Sequence, residues 1–219
     1  MSPLDVPAPP AWRAAVPLLE AAIVTAAGLS FPVRRLAEDQ TVEVVHDALG
    51  RTACRIGAFE HAVRSQLAPA LARTAADEAE VARAAAAVAL AHVAIAEMHA
   101  ELHAWQPAPE HQRLLALAVE AAGQLREQTA SGLSGLVRVL RQPTFRAPEG
   151  CVSGRLDIDV TLHLVPPPAL AEIEREVARH EARHLAAKAA PSKLFWSIVA
   201  FAAGAWLLGG CSGDDDPGE

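Results

Sequence analysis

The chain has 219 residues, 52% of them hydrophobic, which is enough for one domain of ordinary size with its own core. Alanine supplies most of the apolar excess and tyrosine is absent, so the composition favours helices over strands. The formal charge is −7, and four acidic groups fall in the last six residues, leaving −3 before them. A mildly acidic domain lacks the basic face that displaces counterions, which excludes generic nucleic-acid binding. Three scattered cysteines, Cys54, Cys151 and Cys211, make no disulfide framework and no C-x-x-C zinc knuckle, and a reducing cytosol is their simplest home.

The N-terminus, MSPLDVPAPP, lacks the basic start of a signal peptide, and the apolar stretch after it is interrupted by Pro17 and Glu20. A soluble amphipathic helix from about Trp12 to Ala27 is expected, with Trp12, Val16, Leu19 and Ile23 on one stripe and Pro17 suited to its first turn. Gly28 to Pro32 ends it. Thr41 is a candidate N-cap for a short helix ending near Gly50, and Thr52 for a second carrying Ile56, Phe59, Val63 and Leu67.

The longest element is expected from about Ala75 to Trp105. Val81, Val88, Ile95 and Leu102 recur every seven residues, with Ala84, Ala91, Met98 and Trp105 between them. After Pro107 and Pro109 a second long helix runs to about Leu140 on the stripe Leu114, Ala118, Ala121, Leu125, Gly132, Leu136 and Leu140. The pair predicts an antiparallel hairpin, while a homodimeric coiled coil is the other use of the same seam. Residues 155–165 then alternate, Leu156, Ile158, Val160, Leu162 and Leu164 against Asp157, Asp159, Thr161 and His163, as a half-buried strand does. Such a strand needs a partner, for which Thr144 to Arg146 is a candidate. Pro166 to Pro168 ends it, and a last helix is expected from about Ala169 to Lys188.

From Leu194 to Gly213 the sequence reads LFWSIVAFAAGAWLLGGCSG, twenty residues without a charge, which matches the hydrocarbon thickness of a bilayer at helical rise. Trp196 and Trp206 lie towards its ends. Arg175, Arg179, Arg183, Lys188 and Lys193 precede it and Asp214, Asp215 and Asp216 follow, so the positive-inside rule puts the N-terminal domain in the cytoplasm. Leu208-Gly209-Gly210-Cys211 resembles the lipid-acceptor motif of a bacterial lipoprotein signal, with Cys211 as acceptor; small-residue packing at a helix end is the other reading.

His180-Glu181-Ala182-Arg183-His184 spells H-E-x-x-H. On a helix the two histidines share a face and can ligate one zinc ion, and the glutamate between them can act as general base on a bound water. Ile173 and Val177 continue the same stripe. Arg183 is unfavourable there, because a cation beside the ligands repels the metal. Residues 151–190, with Cys151, Val160 to Leu162, a proline and the H-E-x-x-H helix, resemble a group of bacterial putative zinc proteases. That resemblance implies zinc on His180 and His184 with Glu181 as base. Arg183, the lack of a glycine before His184 and the apolar run after the helix depart from the group's pattern. The plainer reading of the pentapeptide is a charged helix beside anionic headgroups.

Asp157, Asp159 and His163 could coordinate a metal, or form the exposed face of a strand. His92, His99 and His103 fall on one stripe beside the heptad seam and read as a partly exposed flank, while Cys54 and Cys151 read as small buried apolar residues. The expected fold is mainly α: a helical bundle with a long antiparallel helix hairpin, a small β element and one C-terminal transmembrane helix. Its expected parts are a bundle over 1–142, a β element and membrane-proximal helix over 143–190, a single-pass tail anchor over 191–213 and an acidic tail over 214–219. The expected function is a membrane-tethered interaction or scaffold module that pairs with itself or with another helical protein. The alternative is a membrane-bound zinc hydrolase using His180, Glu181 and His184.

Overall fold

The structure, a computed structural model, describes residues 4–37, 40–73, 75–147, 162 and 164–189. The chain divides into two units, residues 1–176 and 177–219. Of the second, only the end of one helix, 177–189, is described.

The first unit is a helical bundle built around one helix. Helix α1 spans Val16–Gly28, α2 Gln40–His61, α3 Ala68–Leu71, α4 Glu78–Ala104 and α5 Gln112–Leu140, and α6 begins at Ala169. Helix α4 packs against α1, α2, α3 and α5, which explains a sequence apolar on more than one side. Val81, Val88 and Ile95 are fully buried, and Met98 and Leu102 nearly so. The outer stripe is Arg83, Leu90 and Glu97. The heptad seam is thus consumed inside the chain and is not a surface for a second copy. Although α4 has the length and composition to cross a membrane, half of its most apolar stretch is buried by the chain itself.

Helices α4 and α5 run antiparallel, as the spacing predicts. His92 meets Thr129, whereas His99, seven residues further on, meets Gly123, six residues earlier on α5. The α5 stripe faces inward, with Leu114, Ala118, Ala121, Leu125, Leu136 and Leu140 all buried. At the start of α4 the Asp77 carboxylate accepts the Ala79 N–H, and Glu78 and Glu80 in the first turn suit the positive helix end.

The cap residues predict two short helices over residues 41–67, yet the structure has one. Gly50 lies inside α2, and Thr52 is no N-cap: its hydroxyl donates to the Ala48 carbonyl one turn back, at 2.7 Å. Glycine costs about 1 kcal/mol in a helix interior, less than burying Val45, Ala48 and Phe59 along one face returns. The helical path then continues through a π-helical stretch, Ala62–Leu67, into α3. The Ala68 N–H bonds the Val63 carbonyl, five residues back, just before Pro69. Proline brings no N–H and crowds the carbonyl four residues before it, so widening the helix there accommodates it.

Two small two-stranded sheets close the bundle. Strand β1, Leu4–Pro7, pairs antiparallel with β4, Thr144–Ala147, and β2, Arg34–Arg35, pairs parallel with β3, Trp105–Gln106. The partner of Thr144–Arg146 among the described residues is therefore the N-terminus. Most of the expected strand over 155–165 lies outside the described residues. Of its end, Leu162, Leu164 and Val165 sit in no regular element, and Leu164 joins the core. Gln128 on α5 supplies the backbone partner there: its carbonyl accepts the Val165 N–H at 2.9 Å, and its amide donates to the Val165 carbonyl at 3.1 Å. Gly132, one turn along, lets Leu162 approach, since a Cβ there would stand 2.5 Å from a Leu162 methyl.

Candidate functional site

Helix α6, Ala169–Ala189, carries the H-E-x-x-H sequence. The backbone is helical throughout, so His180 and His184 stand one turn apart on it, as metal ligands on a helix must. Ile173 and Val177 on the expected inner stripe are buried, His180 is half-buried, and Arg179 and Arg183 are exposed. The side chains of Glu181 and His184 lie outside the described residues, as do Asp157, Asp159, His163 and Cys151. Among the described residues no three His, Cys, Asp or Glu side chains gather as a metal site would require.

The histidines of α4 are placed differently from the partly exposed flank that their spacing suggests. His92 is fully buried in the α4–α5 seam, His99 is half-buried and His103 is exposed. His92 lies one turn from both Val88 and Ile95, on their face, and this is the signal that could have marked it as internal. Its Nδ1 stands 2.8 Å from Thr129 Oγ1, which itself lies 3.0 Å from the Leu125 and Arg126 carbonyls. The hydroxyl has one proton to give, and a carbonyl one turn back is its usual acceptor, so it receives Nδ1–H from the imidazole. That fixes the tautomer and leaves the buried Nε2 as a bare lone pair with no partner among the described residues. Burial first, and the Arg126 guanidinium second, hold the His92 pKa below the ordinary histidine value.

This buried group ties stability to pH. The unfolded chain takes up a proton near pH 6.5, whereas the folded chain resists doing so until a lower pH. Between those values the unfolded state binds more protons, so stability falls with acidification. We expect the loss to approach about 1.4 kcal/mol per pH unit below pH ~6.5 from His92 alone. Denaturation of the full-length chain in detergent micelles between pH 7.5 and 5 would measure it. In His92→Leu, which leaves the Thr129 hydroxyl bonded to its own helix, the slope should be shallower by that amount. Equal slopes in the two proteins would refute the buried neutral imidazole.

Cys54 is exposed, not buried. Helix α2 turns Thr52 and Phe59 inward, and Cys54 lies about 200° around the helix from Thr52. It lines a surface depression of about 500 Å³ with His46, Asp47, Gly50, Arg51 and Arg55. Arg51 is engaged by Asp47 at 2.9 Å and by Glu101 at 2.8 Å. His46 is two turns from Cys54 on the same helix, too far for a base to act on the thiol. A second depression, of about 550 Å³, lies between α1 and α5 and is lined by Glu20, Ile23, Val24, Ser134, Val137, Arg138 and Arg141. Glu20, the carboxylate among its described lining residues, is paired with Arg141. Among the described residues lining the two depressions, no hydrogen bond joins a nucleophile to a base and no two carboxylates are paired.

The sequence matches no protein-family model, and neither curated proteins nor solved structures give a match to it.

Proposed function

We propose that this chain is a membrane-tethered helical module that works by interaction and not by catalysis, held to the bilayer by a single span over residues 194–213. One observation carries this reading. Twenty consecutive uncharged residues are bracketed by Lys188 and Lys193 on one side and by three aspartates on the other. The bundle itself is suited to water, because its long apolar helix, α4, already has partners in α1, α2, α3 and α5. With the heptad seam internal, a helical partner or a second copy would meet outer positions such as Val24, Phe31 and Val33, which are exposed apolar side chains on α1 and the loop after it. The cationic end of the span holds the bundle in the cytoplasm. Alkaline carbonate extraction tests the tether: the full-length chain should stay with the membrane pellet and leave it only with detergent. Release by carbonate alone would end this reading.

A second reading, a zinc hydrolase with His180 and His184 as ligands and Glu181 as base, is favoured by the unbroken helix that carries all three. It requires zinc that is lost in His180→Ala, together with hydrolytic activity that a chelator abolishes.

A further inference from the structure

We infer that the groove between α1 and α5 receives an acidic amphipathic helix of a partner protein. The inference rests on the interaction reading above and names the chemistry of the partner. One half of the groove is the depression lined by Ile23, Val24, Val137 and Arg138. The other half, of about 400 Å³, is lined by Arg13, Val16, Pro17 and Leu140. Glu20 and Arg141 line both, so the halves adjoin at that ion pair. The groove follows the two helices, since Glu20 meets Arg141 while Val24, one turn on, shares a lining with Ser134, two turns back on α5.

Shape and charge together select the occupant. Val137 is buried and Ile23 half-buried, whereas Val24 is 73% exposed, so the apolar surface is open to solvent. A small ligand needs most of its surface enclosed, which so open a groove does not provide. The apolar face of a third helix fits such a groove by ridge and furrow. Alongside the 13 residues of α1 it has a length of about 20 Å, nearly four helical turns. Among the described lining residues the charged ones are Arg13, Glu20, Arg138 and Arg141. Glu20 and Arg141, at 2.7 Å, neutralise each other. That leaves Arg13 in one half and Arg138 in the other, both exposed and neither paired with a carboxylate among the described residues. Elsewhere on the bundle Arg51, Arg73 and Arg113 each have a carboxylate partner.

The same charges disfavour a second copy. Two grooves laid face to face would set arginine against arginine, whereas carboxylates flanking the apolar face of a different helix would pair with both. Past the end of α1 the combination recurs, exposed Phe31 and Val33 being followed by exposed Arg34 and Arg35. Rim charges of this kind choose the partner and speed its arrival more than they hold it, so the contact weakens with salt.

The probe is a fluorescent helix of about 18 residues with leucines on one face and glutamates along both flanks, and its twin carries lysines instead. Both are titrated into the full-length chain in nanodiscs of neutral phosphatidylcholine, with empty nanodiscs as the blank. The expected result is one acidic helix per chain, bound at least about tenfold more tightly than the lysine twin at low salt. Arg13→Glu together with Arg138→Glu should weaken it by at least about tenfold, and so should Val24→Glu. Leu90→Glu, at an exposed position on α4, should leave it unchanged. All the altered side chains are exposed, and melting curves verify that the variants fold. No binding, equal binding of the twins, or an affinity indifferent to the groove changes would overturn the proposal. Cross-linking of Val24→Cys between two copies would make the groove a self-contact, and displacement of the probe by short-chain phosphatidylserine would make it a lipid site; either result overturns it too. Carbonate extraction of the same chain is independent: retention in the pellet without probe binding sinks this inference and leaves the tether standing.

Discussion

The full-length chain carrying Ala200→Arg together with Ala203→Arg is expected to move from the membrane pellet to the carbonate-soluble fraction. Both positions lie near the centre of the uncharged stretch, where a bilayer tolerates a guanidinium least. Each arginine costs about 2.5–3.5 kcal/mol at the middle of a spanning helix, so the pair costs roughly 5–7 kcal/mol. The favourable transfer of one apolar residue is only about 0.3–0.6 kcal/mol, and a twenty-residue span rich in alanine and glycine has little reserve against that penalty. Ala182→Arg, at an exposed position on α6, is the matched control and should leave the partition unchanged. If the double variant and the control extract alike, residues 194–213 do not hold the chain in the membrane.

Within the bundle, the largest single loss is expected at Trp12. Its side chain is 1% exposed, and its indole N–H donates to the Leu71 carbonyl at 3.0 Å, so one residue joins the N-terminal 3₁₀ turn to the end of α3. Leu71 is the last residue of its helix, where a carbonyl has no helical partner of its own. Trp12→Ala opens a cavity in the core that Trp12 shares with Leu71 and strands that carbonyl, a loss of about 3–5 kcal/mol. Domains of this size hold about 5–15 kcal/mol in total, so a third or more of the stability is at stake. Trp12→Phe keeps most of the ring volume and gives up the hydrogen bond, which costs about 1–3 kcal/mol. Urea denaturation of the two variants, with equal slopes and displaced midpoints, should rank them in that order. An alanine variant within 1 kcal/mol of the parent would mean that the N-terminal turn is not part of the core.

Much of the bundle is legible in the sequence, because burial leaves a periodic trace. Val81, Val88, Ile95 and Leu102 announce α4 by their spacing, and Leu114 to Leu140 announce α5. A heptad seam looks the same whether its partner is another chain or the next helix, and it took the fold to show that this one is satisfied internally. The errors fall where local punctuation misleads. Gly50 and Thr52 have the chemistry of a helix end and a helix start, but the inward face of α2 continues through them. Strand β1 left no signal, since its partner Thr144–Ala147 lies about 140 residues away and the pairing has no local sequence counterpart. Residue type alone puts Cys54 inside, whereas the helical angle from Thr52 and Phe59 places it outside. His92 shows the reverse: its polarity suggests a flank position, but Thr129 on the facing helix supplies a partner that no single-helix pattern reveals.

A single crossing of the bilayer by residues 194–213 would leave residues before it and the aspartates after it on opposite sides. Two cysteines report on it directly: exposed Cys54 on α2, and Cys211 at the far end of the uncharged stretch. In single-cysteine variants retaining one or the other, a membrane-impermeant maleimide added to intact cells should label Cys211. Cys54 should react only after permeabilisation. Labelling of both in intact cells, or of neither until the membrane is opened, would put the two on the same side and contradict the span.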